Sequence, residues 1–173
     1  VRSLSASGQR VEVVVAGDGY CREEMISVLS DVVGAESVRY LGAVDTGRLY
    51  EDFYPNVDVL VVTSETETGP MVAWEAMMHK VLLLTSDFIG RRFEGALEDG
   101  INCIVFPVGR PEVAAARLKE AAKHPDLVDR IRERGRCWAE ANVSETVMLD
   151  ATEAILRKAV SKRTDTRRAA LAG

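Results

Sequence analysis

Residues 57–85 decide the fold and read VDVLVVTSETETGPMVAWEAMMHKVLLLT. The stretch opens with a β-branched apolar run, passes through a polar loop and a segment with helical apolar spacing, and closes with a second apolar run. Short runs that are apolar on both faces are typical of buried parallel strands, because helices cover each face of such a sheet. The stretch therefore predicts a strand–helix–strand unit, with the helix over residues 70–79 and Pro70 early, where its missing N–H costs little.

The same alternation continues on both sides of this unit. It predicts an α/β fold, a Rossmann-like parallel sheet flanked by helices and joined by right-handed crossovers. We expect one domain over residues 1–160, followed by a basic tail, residues 161–173, that frays. The remaining predicted strands are 11–16, 38–41 and 103–106, and the remaining predicted helices are 22–33, 46–54, 111–123, 126–140 and 144–160.

Composition excludes several classes of function. The 173 residues carry a net charge of −5, and nucleic-acid binding proteins need a basic face instead. Three cysteines without a C-x-x-C pair, together with two histidines, disfavour a disulfide framework and a metal cluster. The cysteine pattern fits a reducing, cytoplasmic location best. No apolar run reaches membrane-spanning length, and no signal peptide opens the chain.

A glycine pair, Gly17 and Gly19, follows the first predicted strand. Parallel sheets bind ligands at the carboxyl ends of their strands, and glycines there let the backbone approach a ligand closely. A tight turn without a ligand is the alternative, because glycine is the usual residue of such turns. A full dinucleotide fingerprint is absent, since Arg22 stands where its third glycine is needed, which disfavours a Rossmann oxidoreductase.

Two acids bracket the loop and helix that follow the third strand. Glu67 lies in the loop and Glu75 lies about one and a half turns into the helix. The helix that begins after Gly69 points its free N–H groups into the crevice at the carboxyl ends of the strands. There these groups and the helix dipole favour the binding of a diphosphate. The alternative is a solvated acidic loop with a surface glutamate. The apolar neighbours of Glu75 make that alternative less natural.

Five segments, in this order, resemble the motifs of the retaining GT-B glycosyltransferases of family four, also called group one. They are a valine-rich strand with Gly-Asp-Gly, a V-x-F-L-G match, a strand that ends in serine, a Glu-seven residues-Glu motif, and an E…DG-x-N stretch. The resemblance covers roughly residues 10–160, and the chain is identified as the nucleotide-sugar-binding C-terminal domain. In the order in which the motifs are named above, the five segments are residues 13–19, 38–42, 57–64, 67–77 and 94–107.

The resemblance implies a role for each matching residue. Glu67 is expected at the donor sugar as the catalytic carboxylate, and Glu75 at the ribose hydroxyls. The other implied substrate-binding residues form the crevice floor, border the base or surround the diphosphate. They are Gly17, Gly19, Gly42, Ser64, Thr68, Gly69, Pro70 and Met71.

The resemblance also implies an activity: a hexosyltransferase-type transfer, with retention, from a UDP- or GDP-sugar to a sugar or lipid-linked acceptor in polysaccharide or glycolipid synthesis. No metal or other cofactor is expected. The family's first, central strand, which carries an Arg and a Lys for the diphosphate, and its N-terminal acceptor domain have no counterpart in these residues. The isolated chain is therefore expected to bind a donor weakly and not to turn over. Peripheral membrane association of the full-length protein stays open.

The sequence departs from the family at several positions. Lys80 and Leu82 stand where the family has glycine and proline, and Cys103 replaces the glycine of its Asn-Gly pair. Arg91 and Arg92 are either phosphate-binding cations or a solvated basic turn. These departures keep a second interpretation open, a catalytically inactive nucleotide-sugar-binding or scaffold domain of the same fold. A sugar-nucleotide epimerase is a third, against which the spacing of the two glutamates argues.

Overall fold

The computed structural model describes residues 10–91 and 95–171, with side chains to residue 161. Strands and helices alternate along these residues. The strands are β1 (Val13–Ala16), β2 (Val38–Gly42), β3 (Val59–Val62), β4 (Leu82–Ser86) and β5 (Ile104–Phe106). The helices are α1 (Arg22–Val33), α2 (Thr46–Arg48), α3 (Met71–Met78), α4 (Pro111–Ala121), α5 (Pro125–Val143) and α6 (Glu145–Leu171).

The predicted α/β fold is confirmed, and two helical segments differ from expectation. The helix predicted over residues 46–54 is α2 followed by a π-helical turn, Leu49–Phe53, and a 3₁₀ turn, Tyr54–Asn56. Pro55 lacks the N–H that a continuing helix needs, so the chain leaves the helix there. The backbone of α6 remains helical to Leu171, where the sequence predicts a frayed tail. Alanine, lysine and arginine are strong helix formers, which explains the extension.

Every strand pair in the described residues is parallel, but the strands form two sheets instead of the single expected one. β1 pairs with β2 in one sheet, and β3, β4 and β5 pair in that order in the other. Strands β1 and β3 each hydrogen-bond to a neighbour strand on one edge only. The family resemblance implies one further, central strand, and without it the described strands are divided into two sheets.

Strand β4 lies at the centre of the core. All five of its residues are buried, as expected for a parallel strand that is covered on both faces. Leu83 packs into a cluster with α3 and α5, and Leu82 and Leu84 pack into a second cluster with α4 and α5. The alternation of side chains along the strand therefore joins both helical layers to one sheet.

The sheet of β1 and β2 is much less buried than the sheet around β4. No residue from 10 to 53 is fully buried, and α1 has no buried residue. Because local opening is easiest where few apolar groups are buried, this sheet should open more readily than the sheet around β4.

Hydrogen exchange should separate the two sheets. We expect the backbone amides of β1 and β2 to exchange at least about tenfold faster than those of β4, because their opening exposes less apolar surface. Exchange followed by mass spectrometry or NMR measures this difference. Equal protection of the two sheets would contradict it.

Helix α3 ends in a Schellman motif with lysine at the position that usually holds glycine. The N–H of Lys80 donates to the carbonyl of Met77 at 3.0 Å, and the N–H of Val81 donates to that of Ala76 at 2.9 Å. Lys80 has a φ of 58°, the left-handed region that is costly for a residue with a Cβ. Its ammonium group pairs with Glu133 at 2.6 Å on the surface. This position is the one where the family resemblance implies glycine.

The Lys80→Gly variant should unfold at a higher temperature. Glycine relieves about 1 kcal/mol of left-handed strain, and the lost pair with Glu133 is exposed and contributes little. We expect the Tm to rise by about 2–4 °C. Lys80→Ala is the matched control, because it also removes the ion pair but keeps a Cβ in the left-handed region. Equal melting temperatures for the two variants would show that strain at Lys80 is unimportant.

Candidate functional site

The loops that follow β1 and β2 are held together by one backbone hydrogen bond. The N–H of Gly17 donates to the carbonyl of Gly42 at 2.7 Å, and both glycines have a positive φ. A Cβ built on Gly17 or Gly19 would meet no atom within 4 Å. No neighbouring atom therefore covers the backbone at Gly17 and Gly19, and a ligand can approach it closely.

Asp18 uses its carboxylate within this loop. One of its oxygens accepts from the N–H of Gly19 at 2.8 Å, and the other lies 3.6 Å from the guanidinium of Arg22 in the first turn of α1. Gly19 thus offers a ligand its open surface and not a free N–H donor. Arg22, which replaces the third glycine of a dinucleotide fingerprint, pairs with the same loop.

Ser64 and Glu67 are brought together in the loop after β3. The Ser64 hydroxyl donates to Glu67 Oε1 at 2.6 Å, and Ser86 at the end of β4 donates its hydroxyl to the Ser64 carbonyl at 2.5 Å. The N–H of Ile89 donates to the carbonyl of Glu65 at 3.0 Å, which joins this loop to the segment after β4. These contacts hold the half-buried carboxylate of Glu67 in one orientation.

Three of the four residues between Glu67 and the body of α3 are exposed to solvent. Thr68, Gly69 and Met71 are exposed, and only Pro70 is buried. Gly69 has a φ of 131°, and no atom would contact a Cβ placed there. No side chain of the described residues caps α3 at Pro70. The first N–H groups of α3 therefore face an open space, a typical anion-binding arrangement.

Glu75 is engaged by two tyrosines that the sequence analysis does not single out. The hydroxyl of Tyr54 donates to its Oε2 at 2.7 Å, and the hydroxyl of Tyr50 donates to its Oε1 at 3.3 Å. Burial, followed by the adjacent carboxylate, raises the pKa of both tyrosines. No spacing rule connects residues 50 and 54 with residue 75, so only the folded chain reveals this contact.

The site residues thus fall into three contact groups. Gly17 joins Gly42, Ser64 joins Glu67, and Glu75 joins the two tyrosines, while residues 68–71 connect the second group to the third along the chain. Within the described residues, no hydrogen bond or ion pair joins Glu67 to Glu75 directly, and no group of three or more His, Cys, Asp or Glu side chains is arranged to hold a metal ion.

Arg91 does not supply a free cation. It is buried, its Nε lies 2.7 Å from Asp87 Oδ1, and its Nη1 donates to the carbonyl of Leu97 at 2.5 Å. The interpretation of Arg91 as a solvated turn is therefore also wrong, because its guanidinium is part of the local fold. Arg92 lies outside the described residues.

A family model described as glycosyl transferases group 1 matches residues 1–138. The chain belongs to this family. A comparison with curated protein sequences finds no match.

Solved glycosyltransferase structures share the fold at low sequence identity. Sucrose-phosphate synthase of Thermosynechococcus elongatus is 19% identical, with 92% of this chain and 42% of that chain covered at a TM-score of 0.75. HepE of Anabaena is 17% identical, with 85% and 41% covered at 0.72. The pneumococcal O-GlcNAc transferase GtfA is 15% identical, with 91% and 31% covered at 0.74. The chain thus spans less than half the length of each.

Two departures from the family pattern have a structural explanation. Leu82, in the place of proline, donates its N–H to the carbonyl of Asp58 at 3.1 Å, a bond that proline cannot make. Cys103, in the place of glycine, is completely buried in the core, and burial raises the pKa of its thiol to about 12. Both side chains serve the glycosyltransferase fold and lie in its core.

The glycosyltransferase motif around Asn102 serves to close a turn. Its side-chain amide donates to the carbonyl of Ala96 at 2.9 Å, and its carbonyl oxygen accepts from the N–H of Glu98 at 2.8 Å. Asp99 accepts from the N–H of Val105 at 2.9 Å and pairs with Arg117. These polar residues therefore shape the loop that leads into β5.

Two surface cavities lie at the junction of α4 and α5 and not at the loops that carry the predicted site. Their volumes are about 400 and 330 Å³. The first is lined by Lys123, His124, Pro125, Asp126, Leu127 and Arg130. None of the predicted site residues lines either of these two cavities.

A double-mutant cycle should detect the hydrogen bond that orients Glu67. We expect Ser64→Ala and Glu67→Ala each to lower the free energy of unfolding by about 1 kcal/mol, and the double variant to lose no more than either single one. Urea denaturation measures the three differences. Ser64→Thr keeps the hydroxyl and serves as the control. Additive losses would show that the two side chains act independently.

Proposed function

We propose that this chain is the donor-binding part of a glycosyltransferase that transfers a sugar from a nucleoside-diphosphate sugar to an acceptor. Membership in the group 1 family supports the reaction class. The observation that carries the proposal is the segment from Ser64 to Glu75. It holds an oriented carboxylate, an uncapped helix N-terminus and a second carboxylate in succession.

The start of α3 suits the departing diphosphate. Negative charge builds on the leaving phosphate as the bond to the sugar breaks, and preorganised N–H groups stabilise such charge. The exposed backbone of Thr68, Gly69 and Met71 is proposed to surround the diphosphate, with the positive end of the helix dipole behind it. Pro70 has no N–H and therefore donates no hydrogen bond to the diphosphate. In this proposal the helix supplies the stabilisation and no metal is required.

The remaining residues suit the two ends of a nucleotide sugar. Glu67, oriented by Ser64, is proposed to contact the donor sugar near its reacting carbon. Glu75 is proposed to accept hydrogen bonds from the ribose hydroxyls. Gly17, whose surface is open, is proposed to line the crevice floor, and Gly42, which is joined to it by a hydrogen bond, is proposed to border the base.

Uridine is the base that we propose first. HepE is described in complex with UDP-glucose, and GtfA in complex with UDP and GlcNAc. Those ligands belong to proteins that are only 17% and 15% identical to this chain, so guanosine remains the next base to test. We further propose hexosyl transfer with retention to a sugar or lipid-linked acceptor, in polysaccharide or glycolipid synthesis in the cytoplasm, with peripheral membrane association of the full-length protein.

Thermal unfolding with UDP, GDP and ADP, and with UDP- and GDP-sugars, tests donor binding. At about a hundred times its Kd a ligand adds about 2.7 kcal/mol, which corresponds to a rise in Tm of about 5–11 °C for a chain of this size. We expect one nucleoside diphosphate to give this rise, and Glu75→Ala to abolish it.

Glu153→Ala is the matched control for that experiment. Glu153 is exposed on α6 and pairs with Arg157 one turn further on, so its loss should leave the ligand-induced rise unchanged. The absence of a rise with every nucleotide, or an undiminished rise in Glu75→Ala, would contradict the proposed site.

A catalytically inactive nucleotide-sugar-binding or scaffold domain is the second candidate. The observation that favours it is the burial of the Arg91 guanidinium. It contacts Asp87 and the carbonyl of Leu97 and is therefore not available to bind a phosphate. A sugar-transfer assay distinguishes the two, because a scaffold binds without transfer even in the full-length protein. We expect the isolated chain to bind without transfer, and detection of transfer by this chain would overturn that expectation.

A further inference from the structure

The carboxylate of Glu75 is held by two hydroxyl groups, one on each oxygen. Tyr54 donates to Oε2 at 2.7 Å and Tyr50 donates to Oε1 at 3.3 Å. The two tyrosines lie four residues apart on the helical segment that follows β2, whereas Glu75 lies on α3. Two separate parts of the chain therefore meet at this one carboxylate.

Packing makes the Tyr54 contact rigid. Tyr54 is 2% exposed, its ring stacks on that of His79 at 5.2 Å and 15°, and it makes a T-shaped contact with the ring of Phe53 at 5.2 Å and 77°. Tyr50 is more open, with its ring 5.2 Å from that of His79. Burial and the carboxylate raise the pKa of both hydroxyls, so each keeps its proton and remains a donor at neutral pH.

The contact leaves Glu75 with acceptor capacity for a ligand. A carboxylate has about four lone-pair sites on its two oxygens, and one site on each oxygen is taken by a tyrosine. Among the described residues no other side chain donates to Glu75, so one site on each oxygen remains, on a half-buried side chain. Two adjacent acceptors that share a plane match the two neighbouring hydroxyls of a ribose.

The backbone conformation of the segment that carries the two tyrosines also favours a functional role. Residues Leu49–Phe53 form a π-helical turn, and such turns occur frequently at functional sites. The same segment follows the loop of Gly42, which Gly17 joins by a hydrogen bond. The segment thus connects the proposed base-binding loop with the proposed ribose-binding carboxylate.

We propose that Tyr54, assisted by Tyr50, is a positioning residue that orients Glu75 toward the ribose diol and so makes the site selective for ribonucleotides over 2′-deoxyribonucleotides. This inference rests on the proposed donor site. Its physical basis is preorganisation: a carboxylate that is already held in one plane loses less freedom when the ribose binds.

The test compares the affinities of UDP and GDP with those of their 2′-deoxy forms, by calorimetry, in the wild-type chain and four variants. We expect Tyr54→Phe to weaken binding of the preferred ribonucleotide by about fivefold to tenfold, as for a lost hydrogen bond to a charged group. Its 2′-deoxy form, which keeps only the 3′ hydroxyl for Glu75, should lose less affinity than the ribonucleotide, so that the preference for ribose falls. Tyr50→Phe should lower the preference by about twofold, because its bond is longer and exposed.

Tyr40→Phe is the matched control, since it removes a tyrosine hydroxyl on β2 that makes no hydrogen bond to Glu75. It should leave the preference for ribose unchanged. Tyr50 is 39% exposed, so Tyr50→Phe should fold. It therefore still tests the positioning role if Tyr54→Phe fails to fold.

The outcomes separate this inference from the proposed function. Nucleotide binding that is lost in Glu75→Ala, together with a wild-type preference for ribose in both tyrosine variants, overturns the positioning role and leaves the donor site standing. A wild-type chain that binds neither UDP nor GDP overturns both. An equal loss of affinity for ribonucleotide and 2′-deoxyribonucleotide in Tyr54→Phe also overturns it, because a purely structural role moves both affinities together.

Discussion

The complete burial of β4 is the constraint on which the rest of the structure depends. A parallel strand that is covered on both faces needs neighbour strands on both edges and a helical layer on each side. Strands β3 and β5 supply the edges, and α3, α4 and α5 supply the layers. Because β3 and β4 end at the same edge of the sheet, their following loops meet there, and Ser86 can hold the backbone of Ser64.

The hydrogen bonds of Glu75 to its two tyrosines connect this buried sheet to the more exposed half of the chain. Tyr54 packs with Ala76 and Val81, and Phe53 and Leu49 pack around them. The segment that leaves β2 is therefore attached to α3 by both apolar burial and a charged hydrogen bond. The proposed donor site lies along this connection, so its geometry depends on both halves of the chain.

Much of the fold could be predicted because its signals are local. The amphipathic spacing of residues 22–33 predicted α1 with its observed ends, and the apolar runs predicted all five strands. The Glu67 and Glu75 spacing correctly placed one acid in a loop and one in a helix. The environment of Arg91 could not be predicted, since a short basic turn looks the same in sequence whether its guanidinium is solvated or buried.

The sequence by itself determined the α/β class, the order of the elements and the membership in the glycosyltransferase family, because periodicity and motif order are properties of the chain alone. Only the tertiary structure decided that the strands form two sheets and that Lys80 occupies a left-handed turn. It also decided that Tyr54 holds Glu75. Contacts between residues that are distant in sequence depend on how buried surfaces pack together, and no local pattern encodes that packing.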